Sequence, residues 1–518
     1  MALAKILWVD DEIEHLRPQI MFLEQRGYEL VTVSNGYDAL DKCDQEQFDV
    51  VFLDETMPGL TGIETLIRIK EKNQRIPIVM ITKNEEENLM EDAIGKQIAD
   101  YLIKPVKPQQ ILLTLKRLLE NKRLVSEATN SAYQQEFSRI FMSMQMNPDY
   151  KGWMDIYKKL TYWELELDNA RSREMNEVMS MQKNEANREF VRFVMENYAD
   201  WVHEKNREFA PVMSHTLMKE MIMPYLDDER TTFLVVIDNL RYDQWRVIQP
   251  LLGEFFRTEQ EDMFFSILPT ATQYSRNAIF AGLLPSEIEK RMPKYWLNDA
   301  DEGGKNQFEE EFFTDFLARN KVNARFSYNK VTNHQSGKQL MDNAHNLLNY
   351  KLNVIVYNFV DMLSHARTEM EVLKELASDE TAYRSLTMSW FEHSPLFEIL
   401  KKLSDKNIRL LITTDHGTIR VQSPVKVVGD RNTTTNLRYK LGKNLSYEAS
   451  EVFEVRDPQK VGLPAPNLSS SFIFARANDF FVYPNNYNYY VNYFKDTFQH
   501  GGISMEEVMV PFVALKSK

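Results

Sequence analysis

Five apolar runs in this chain stop on an acid, and this pattern limits the fold more than any other feature. They are KILWVD, FDVVFLD, FLVVID, VIVYNFVD and LLITTDH, ending at Asp10, Asp54, Asp238, Asp361 and the pair Asp415–His416. Each is short and rich in Val, Ile, Leu and Phe, as expected of a strand buried on both faces in a parallel sheet covered by helices. The carboxyl ends of such strands share one edge, where ligands bind. Acids and imidazoles far apart in sequence can therefore meet there.

The first 121 residues add YELVTVS, IPIVMIT and ADYLIK to the strand set, with amphipathic stretches near 14–26, 36–46, 60–73, 85–96 and 108–121. A five-fold βα alternation of this kind predicts an α/β fold with a doubly wound parallel sheet. Over 122–225 the texture changes: Gly152 is the only glycine between Gly95 and Gly253. Phe190, Phe193, Val194, Tyr198, Trp201 and Val202 recur at helical spacing there, which predicts a helical bundle with these side chains as its core. Residues 226–518 return to mixed strands and helices, a second α/β domain with loop-rich insertions near 286–310 and 420–470. The formal net charge of −14 argues against a broad DNA-binding face. A single cysteine, Cys43, forms no internal disulfide and suits a reducing compartment. No run approaches the ~20 apolar residues of a membrane span, so a cytoplasmic protein is expected.

Asp10 and Asp11 close the first strand, Asp54 the third, Thr82 the fourth and Lys104 the fifth. Three carboxylates on one edge suit a hard cation such as Mg²⁺. A carboxylate beside that cation can accept a phosphoryl group, with Thr82 and Lys104 placed to contact the product. The DD pair, the D-x-x-M-P-G step at Asp54, the strand-end Thr and the K-P step resemble the receiver domain of two-component response regulators. That resemblance implies Asp54 as phosphoacceptor, Asp10 and Asp11 with Asp54 as Mg²⁺ ligands, and Thr82, Tyr101 and Lys104 as switch residues. It also implies a cognate sensor histidine kinase and a homodimer favoured by phosphorylation.

In the third segment, Asp238, Asp361, His365, Asp415, His416 and His500 offer both carboxylate and imidazole. The four-residue step from Asp361 to His365 puts both on one face of a helix. This donor mix suits Zn²⁺, or alternatively Mn²⁺. Six ligands exceed the need of one open catalytic metal and fit two. LPTATQYSR, between the strand-like FFSI and a helical stretch, offers Thr270 and Thr272 as hydroxyls at a helix N-terminus, where the dipole favours an alkoxide.

The order Asp, Thr, Asp-x-x-x-His, Asp-His, His resembles the alkaline phosphatase superfamily. The P-T-A-T run is similar to the P-T-x-T step of nucleotide pyrophosphatases/phosphodiesterases, whose second Thr is the nucleophile. That implies Thr272, with Thr270 as runner-up. Gln273 and Tyr274 depart from the family's run, which leaves Ser275, Arg276 or Asn277 for the oxyanion contact. By the same analogy Asp361, His365 and His500 hold one metal, and Asp238, Thr272, Asp415 and His416 the other. A receiver, a helical linker and this domain together resemble PglZ-domain response regulators of Bacteroidota, tied to type IX secretion and gliding.

The expected activity is a phosphorylation-controlled phosphodiesterase acting on nucleotide or oligonucleotide substrates. The alternative is a regulator that docks on a sigma factor or a secretion-machine component. The aromatic stretch 472–498 reads first as a buried hairpin or strand core and second as a base-stacking surface. Arg420, Lys426, Arg431, Arg438 and Lys440 read as a solvated face or as a backbone-binding groove.

Overall fold

The computed structural model describes residues 4–73, 76–83, 98–170, 173–226, 229–358, 360, 379–430, 433–467 and 469–518. The expected helix over 85–96, together with Asp361, His365 and Arg431, lies outside the described residues. The chain divides into two compact units, Met1–Ala132 and Tyr133–Lys518.

In the first unit, strands β1 (Lys5–Val9), β2 (Glu29–Val33), β3 (Val50–Asp54), β4 (Ile78–Thr82) and β5 (Asp100–Ile103) form a parallel sheet of order β2-β1-β3-β4-β5. The continuous apolar runs are buried along their whole length in β3 and β4. Helices α1 (Arg17–Glu24), α2 (Gly36–Gln45) and α3 (Gly62–Lys72) lie between the strands in sequence. Side chains fix their starts. Asn35 accepts from the Asp38 N–H, and Thr61 forms a capping box with Glu64.

Helix α4 (Pro108–Gln145) does not stop near residue 121 as expected; it continues into the second unit. No Gly or Pro lies between Pro108 and Pro148 to break it. Helices α5 (Tyr150–Ala170) and α6 (Arg173–His203) follow. The aromatic stripe is core, as expected: Phe190, Val194, Tyr198, Trp201 and Val202 are buried.

The second unit holds a six-stranded sheet. Strands β6 (Thr232–Ile237), β7 (Phe256–Phe265), β8 (Phe326–Val331), β9 (Leu352–Tyr357) and β10 (Arg409–Thr413) contribute five members. Short strands β11 (Ile419–Arg420), β12 (Ser423–Lys426), β13 (Tyr439–Gly442), β14 (Val452–Val455), β15 (Ser471–Ala475), β16 (Asp479–Val482) and β17 (Phe498–Gln499) build small accessory sheets before β18 (Met509–Ser517) closes the large one. The order is β7-β18-β10-β6-β9-β8, with β10, β6, β9 and β8 parallel and β18 antiparallel to both neighbours. Register sets Thr413 beside Val236 and Tyr357 beside Ile237, so the segments that follow β10, β6 and β9 leave from one edge.

The linker helices share this core. Phe265 of β7 meets Trp201 at 5.6 Å and Phe190 at 6.0 Å between ring centroids. A buried ionic seam joins the same parts. Further helices of this unit are α7 (Tyr242–Gly253), α8 (Thr272–Ala281), α9 (Glu380–Glu392), α10 (Tyr487–Phe494) and α11 (Met505–Val508); the seam joins α7, α9 and α11 to the linker helices. Arg384 of α9 contacts Glu164 of α5 at 3.0 Å and Asp243 of α7 at 2.9 Å. Lys183 of α6 bridges Glu164 at 2.8 Å and Glu506 of α11 at 3.1 Å. Burial disfavours the charge on Glu164, yet Lys183 and Arg384 outweigh it and hold its pKa down to about 2. Among the described residues, no helix is long and apolar enough to cross a membrane.

Two expectations for 420–498 need correction. Ser471–Ala475 and Asp479–Val482 are buried strands, as the strand-core reading expects, though they are not one hairpin: β15 pairs with β13 and β14, and β16 with β12. The Tyr/Asn-rich part, 487–494, is a helix with no buried residue. The basic set is also not one solvated face, because Arg438 and Lys440 are buried. Burial pushes the Lys440 ammonium down to about 8. It donates to the Thr434 carbonyl at 2.8 Å. The charged form is the one the fold disfavours, so the penalty is full below pH 8 and fades as pH approaches the ordinary lysine value. Lys440→Met is therefore expected to stabilise the protein by about 2 kcal/mol at pH 7. Thermal unfolding should show the gain at pH 7 and its disappearance near pH 10.5.

Candidate metal centres

In the first unit the carboxylates converge as expected. Ligand atoms of Asp10, Asp11 and Asp54 lie within 4.8 Å of one another. Lys104 Nζ stands 2.9 Å from Asp10 Oδ2 and 3.0 Å from Asp54 Oδ1. Burial pushes the Asp54 carboxyl up to about 6, opposed by Lys104 and reinforced by Asp10. A divalent cation would relieve that crowding of negative charge, and three oxygen donors fit a hard ion. Thr82 ends β4 and is buried, whereas Tyr101 on β5 is 45% exposed.

In the second unit, Asp238 follows β6, and Asp415 and His416 follow β10. Their ligand atoms also lie within 4.8 Å of one another. The two described histidines of the site share one device. His416 Nδ1 lies 3.1 Å from the Gly417 carbonyl, and His500 Nδ1 lies 3.1 Å from the Thr270 carbonyl. A carbonyl only accepts, so each Nδ1 carries a proton there, which leaves Nε2 as the ring atom that could ligate a cation. The two rings stack with centroids 4.3 Å apart. Imidazole nitrogens beside carboxylates form a donor set that fits Zn²⁺ or Mn²⁺.

Thr272 opens α8. Its Oγ1 lies 3.1 Å from His416 Nε2 and 3.4 Å from Asp238 Oδ1. The runner-up is placed otherwise. Thr270 is fully buried, and its hydroxyl donates to the Gly502 carbonyl at 3.0 Å and accepts from the Gly501 N–H at 3.0 Å. Its task is to hold the turn that carries His500. Of the three oxyanion candidates, Ser275 bonds Ser266 at 2.9 Å and Asn277 donates to the Lys305 carbonyl at 3.0 Å. Only Arg276 reaches the cluster.

Arg276 is fully buried. Its guanidinium contacts Asp238 Oδ2, lies 3.0 Å from Asp415 Oδ2 and 3.5 Å from Glu309, and donates to Asn358 Oδ1 at 3.1 Å. Burial alone would raise the Asp415 carboxyl, but His416 and Arg276 hold it well below the usual carboxylate range. A second buried pair, Arg438 with Glu507 at 2.6 Å, supports the loop of His500. Glu507 accepts the Gly502 N–H at 2.9 Å. Sequence reading missed Glu309, Asn358 and Glu507, since an acid in a charged stretch carries no mark of burial.

The family-model matches account for the whole arrangement. A response regulator receiver domain model matches residues 6–116, a PorX response regulator linker domain model residues 123–202, and a BREX system PglZ alkaline phosphatase-like domain model residues 217–515. The chain belongs to the PglZ alkaline phosphatase-like family. Its receiver, linker and PglZ domain stand in the order of a PorX-like PglZ response regulator. It is thus a two-component regulator with a phosphatase-like domain, and its receiver implies a cognate kinase.

The receiver is similar to the transcriptional regulatory protein ResD of Bacillus subtilis, 37% identical over 115 residues, 22% of this chain and 48% of that protein. It is also 37% identical over 119 residues to the transcriptional regulatory protein ZraR of Klebsiella oxytoca, 23% of this chain and 27% of that protein. The chain spans about half or less of the length of these curated relatives. Among solved structures, the chemotaxis protein CheY4 of Vibrio cholerae is 32% identical, with 23% of this chain and 99% of that chain covered and a TM-score of 0.22.

Arg276 offers a direct test of the PglZ site. Arg276→Met leaves Asp238 and Asp415 buried without their fixed cation. Stability of the metal-free protein should fall by about 3 kcal/mol or more. A saturating divalent cation should recover much of that loss, because it replaces the missing charge. Thermal unfolding with and without the cation reads both effects.

Proposed function

We propose that phosphorylation of Asp54 controls a zinc-dependent phosphodiesterase activity of the PglZ domain, with manganese as the alternative metal. The proposed substrates are nucleotide or oligonucleotide phosphodiesters. The observation that carries this reading is the place of Thr272. Its hydroxyl stands at the first turn of a helix, within 3.4 Å of both Asp238 and His416.

In this reading Asp238, Asp415, His416 and Thr272 hold one metal. His500 holds the other, with Asp361 and His365 completing its set by resemblance. When bound, such ions lower the pKa of hydroxyl groups and neutralise charge that builds on a phosphoryl oxygen. The chain supplies the rest. The N-terminal end of α8 favours negative charge on the Thr272 oxygen. Arg276 helps keep Asp415 ionised and holds the Asp238 and Asp415 carboxylates together. Backbone carbonyls lock both imidazole tautomers before any ligand arrives.

On the receiver side, Lys104 is placed to pair with a phosphoryl group on Asp54, and Mg²⁺ at Asp10, Asp11 and Asp54 would offset the charge brought in. We further propose that phosphorylation favours a homodimer in the cytoplasm. The physiological output is regulation of type IX secretion.

Thr272→Ala should lower turnover of a bis-aryl phosphate by about a thousandfold or more while Asp54 phosphorylation continues. Steady-state kinetics and phosphoprotein gels check the two arms. Wild-type protein should contain about two transition-metal ions per chain. Metal analysis that finds none removes the enzyme reading. If Thr272→Ala kills turnover yet spares secretion, regulation by protein contact replaces it. Light-scattering mass, measured with and without an acyl-phosphate mimic, should double on addition of the mimic; an unchanged mass rejects the dimer.

A further inference from the structure

Gln273 and Tyr274, the two residues that follow the P-T-A-T run, fasten a loop to the helix that Thr272 opens. Gln273 Nε2 donates to the Leu297 carbonyl at 2.8 Å, and the Tyr274 hydroxyl donates to Asp299 Oδ2 at 2.6 Å. Asn277 donates to the Lys305 carbonyl at 3.0 Å. Three side chains from the first turns of α8 thus hold residues 297–305 against it. Trp296 adds an aromatic contact, its ring 5.9 Å from that of Tyr274.

Asp299 is the point where this loop meets a second element. Its other oxygen, Oδ1, accepts the Tyr439 hydroxyl at 3.1 Å, and Tyr439 begins β13. The two phenol rings meet edge to face at 6.0 Å. Both tyrosines are buried. Burial and the adjacent carboxylate push both phenols well above the ordinary tyrosine value, so each keeps its proton and donates. A carboxylate that serves two buried donors is costly to remove, because both would be left unsatisfied.

Tyr439 in turn bears on the segment that carries His500. A Cβ on Gly501 would stand 2.7 Å from Tyr439 Cδ1 and 2.9 Å from Asn436 Oδ1. The same Asn436 oxygen accepts the Tyr439 N–H at 3.1 Å, so ring and amide form one wall against Gly501. Two ties therefore join the start of α8 to this turn. Thr270 makes the first, ahead of Thr272, through the Gly501 N–H and the Gly502 carbonyl. The bridge Tyr274–Asp299–Tyr439 makes the second, behind it.

We propose that Asp299 is a positioning residue whose bridge between two phenols sets the spacing of the Thr272 hydroxyl and the His500 imidazole. The proposal rests on the phosphodiesterase reading, in which Thr272 and His500 serve different metals, so their spacing is also that of two ions across one phosphate. A misplacement of about 1 Å at a reacting centre costs about a hundredfold in rate. Asp299 acts through Tyr274 and Tyr439.

The test uses the full chain loaded with zinc. Asp299→Leu, and separately the double variant Tyr274→Phe with Tyr439→Phe, should each lower kcat for a bis-aryl phosphate by about tenfold or more, with KM within about twofold of wild type. Asp299→Leu leaves two buried hydroxyls without an acceptor and should lower the melting temperature. The triple variant removes those hydroxyls as well, so its melting temperature should return towards wild type while kcat stays low. Recovery of kcat together with stability would make the bridge merely structural and overturn the proposal. Full kcat in the double variant would overturn it too. A second readout needs no turnover. Competition with a chromophoric chelator should show one zinc ion, the one lost in His500→Ala, bound about tenfold more weakly in the triple variant, and the other within about twofold. Wild-type affinity for both ions would reject the bridge. A wild-type protein that binds two zinc ions and hydrolyses no phosphodiester would sink the phosphodiesterase reading alone, and the chelator readout would then decide the bridge.

Discussion

Two carboxylates buried at the ends of neighbouring parallel strands repel each other, and everything around the PglZ site answers that repulsion. Asp238 and Asp415 are 1% and 0% exposed, so water does not screen them. Arg276 is the fixed cation that makes their coexistence tolerable, and it is itself held by Glu309 and Asn358. The outward-facing lone pairs are then left for a divalent ion and for Thr272. The receiver meets the same difficulty with Asp10 and Asp54 and solves it with Lys104. Both units thus set a fixed side-chain cation beside a group of ligands that could hold a metal ion.

Support for the histidines comes from further out. Thr270, Glu507 and Arg438 hold the turn after β17 that places His500 over His416. Gly417 lies where a Cβ would meet the Glu506 carbonyl at 2.0 Å, so the chain passes too close for any other residue. Glu506 in turn reaches Lys183 and Asn187 of the linker. The linker is therefore in direct ionic contact with the segment that backs the loop of Asp415 and His416.

Much of this was readable before any coordinates. Acid-terminated apolar runs predicted strands whose carboxyl ends meet, and P-T-A-T predicted a hydroxyl at a helix start. What stayed hidden depends on burial rather than on residue type. Arg276 was one of three equal candidates, because nothing adjacent in sequence reveals that its partners arrive from 38 and 139 residues away. Arg438 and Lys440 looked solvated for the same reason. The Tyr/Asn run misled differently: aromatic residues favour strands on average, but here one apolar stripe of Tyr487, Val491 and Phe494 decides for a helix. The helix across residue 121 shows that a change of texture need not be a change of element.

The shared core of linker and phosphatase-like sheet bears on how such proteins can be recombined. Phe190 and Trp201 sit against β7, and Arg384 is neutralised by acids of α5. A PglZ segment cut at the start of its own family match would uncover Phe265 and remove the Glu164 and Asp168 partners of Arg384. A cut in α4 before Tyr133 leaves this shared core whole, whereas the boundary that sequence similarity alone suggests runs through it.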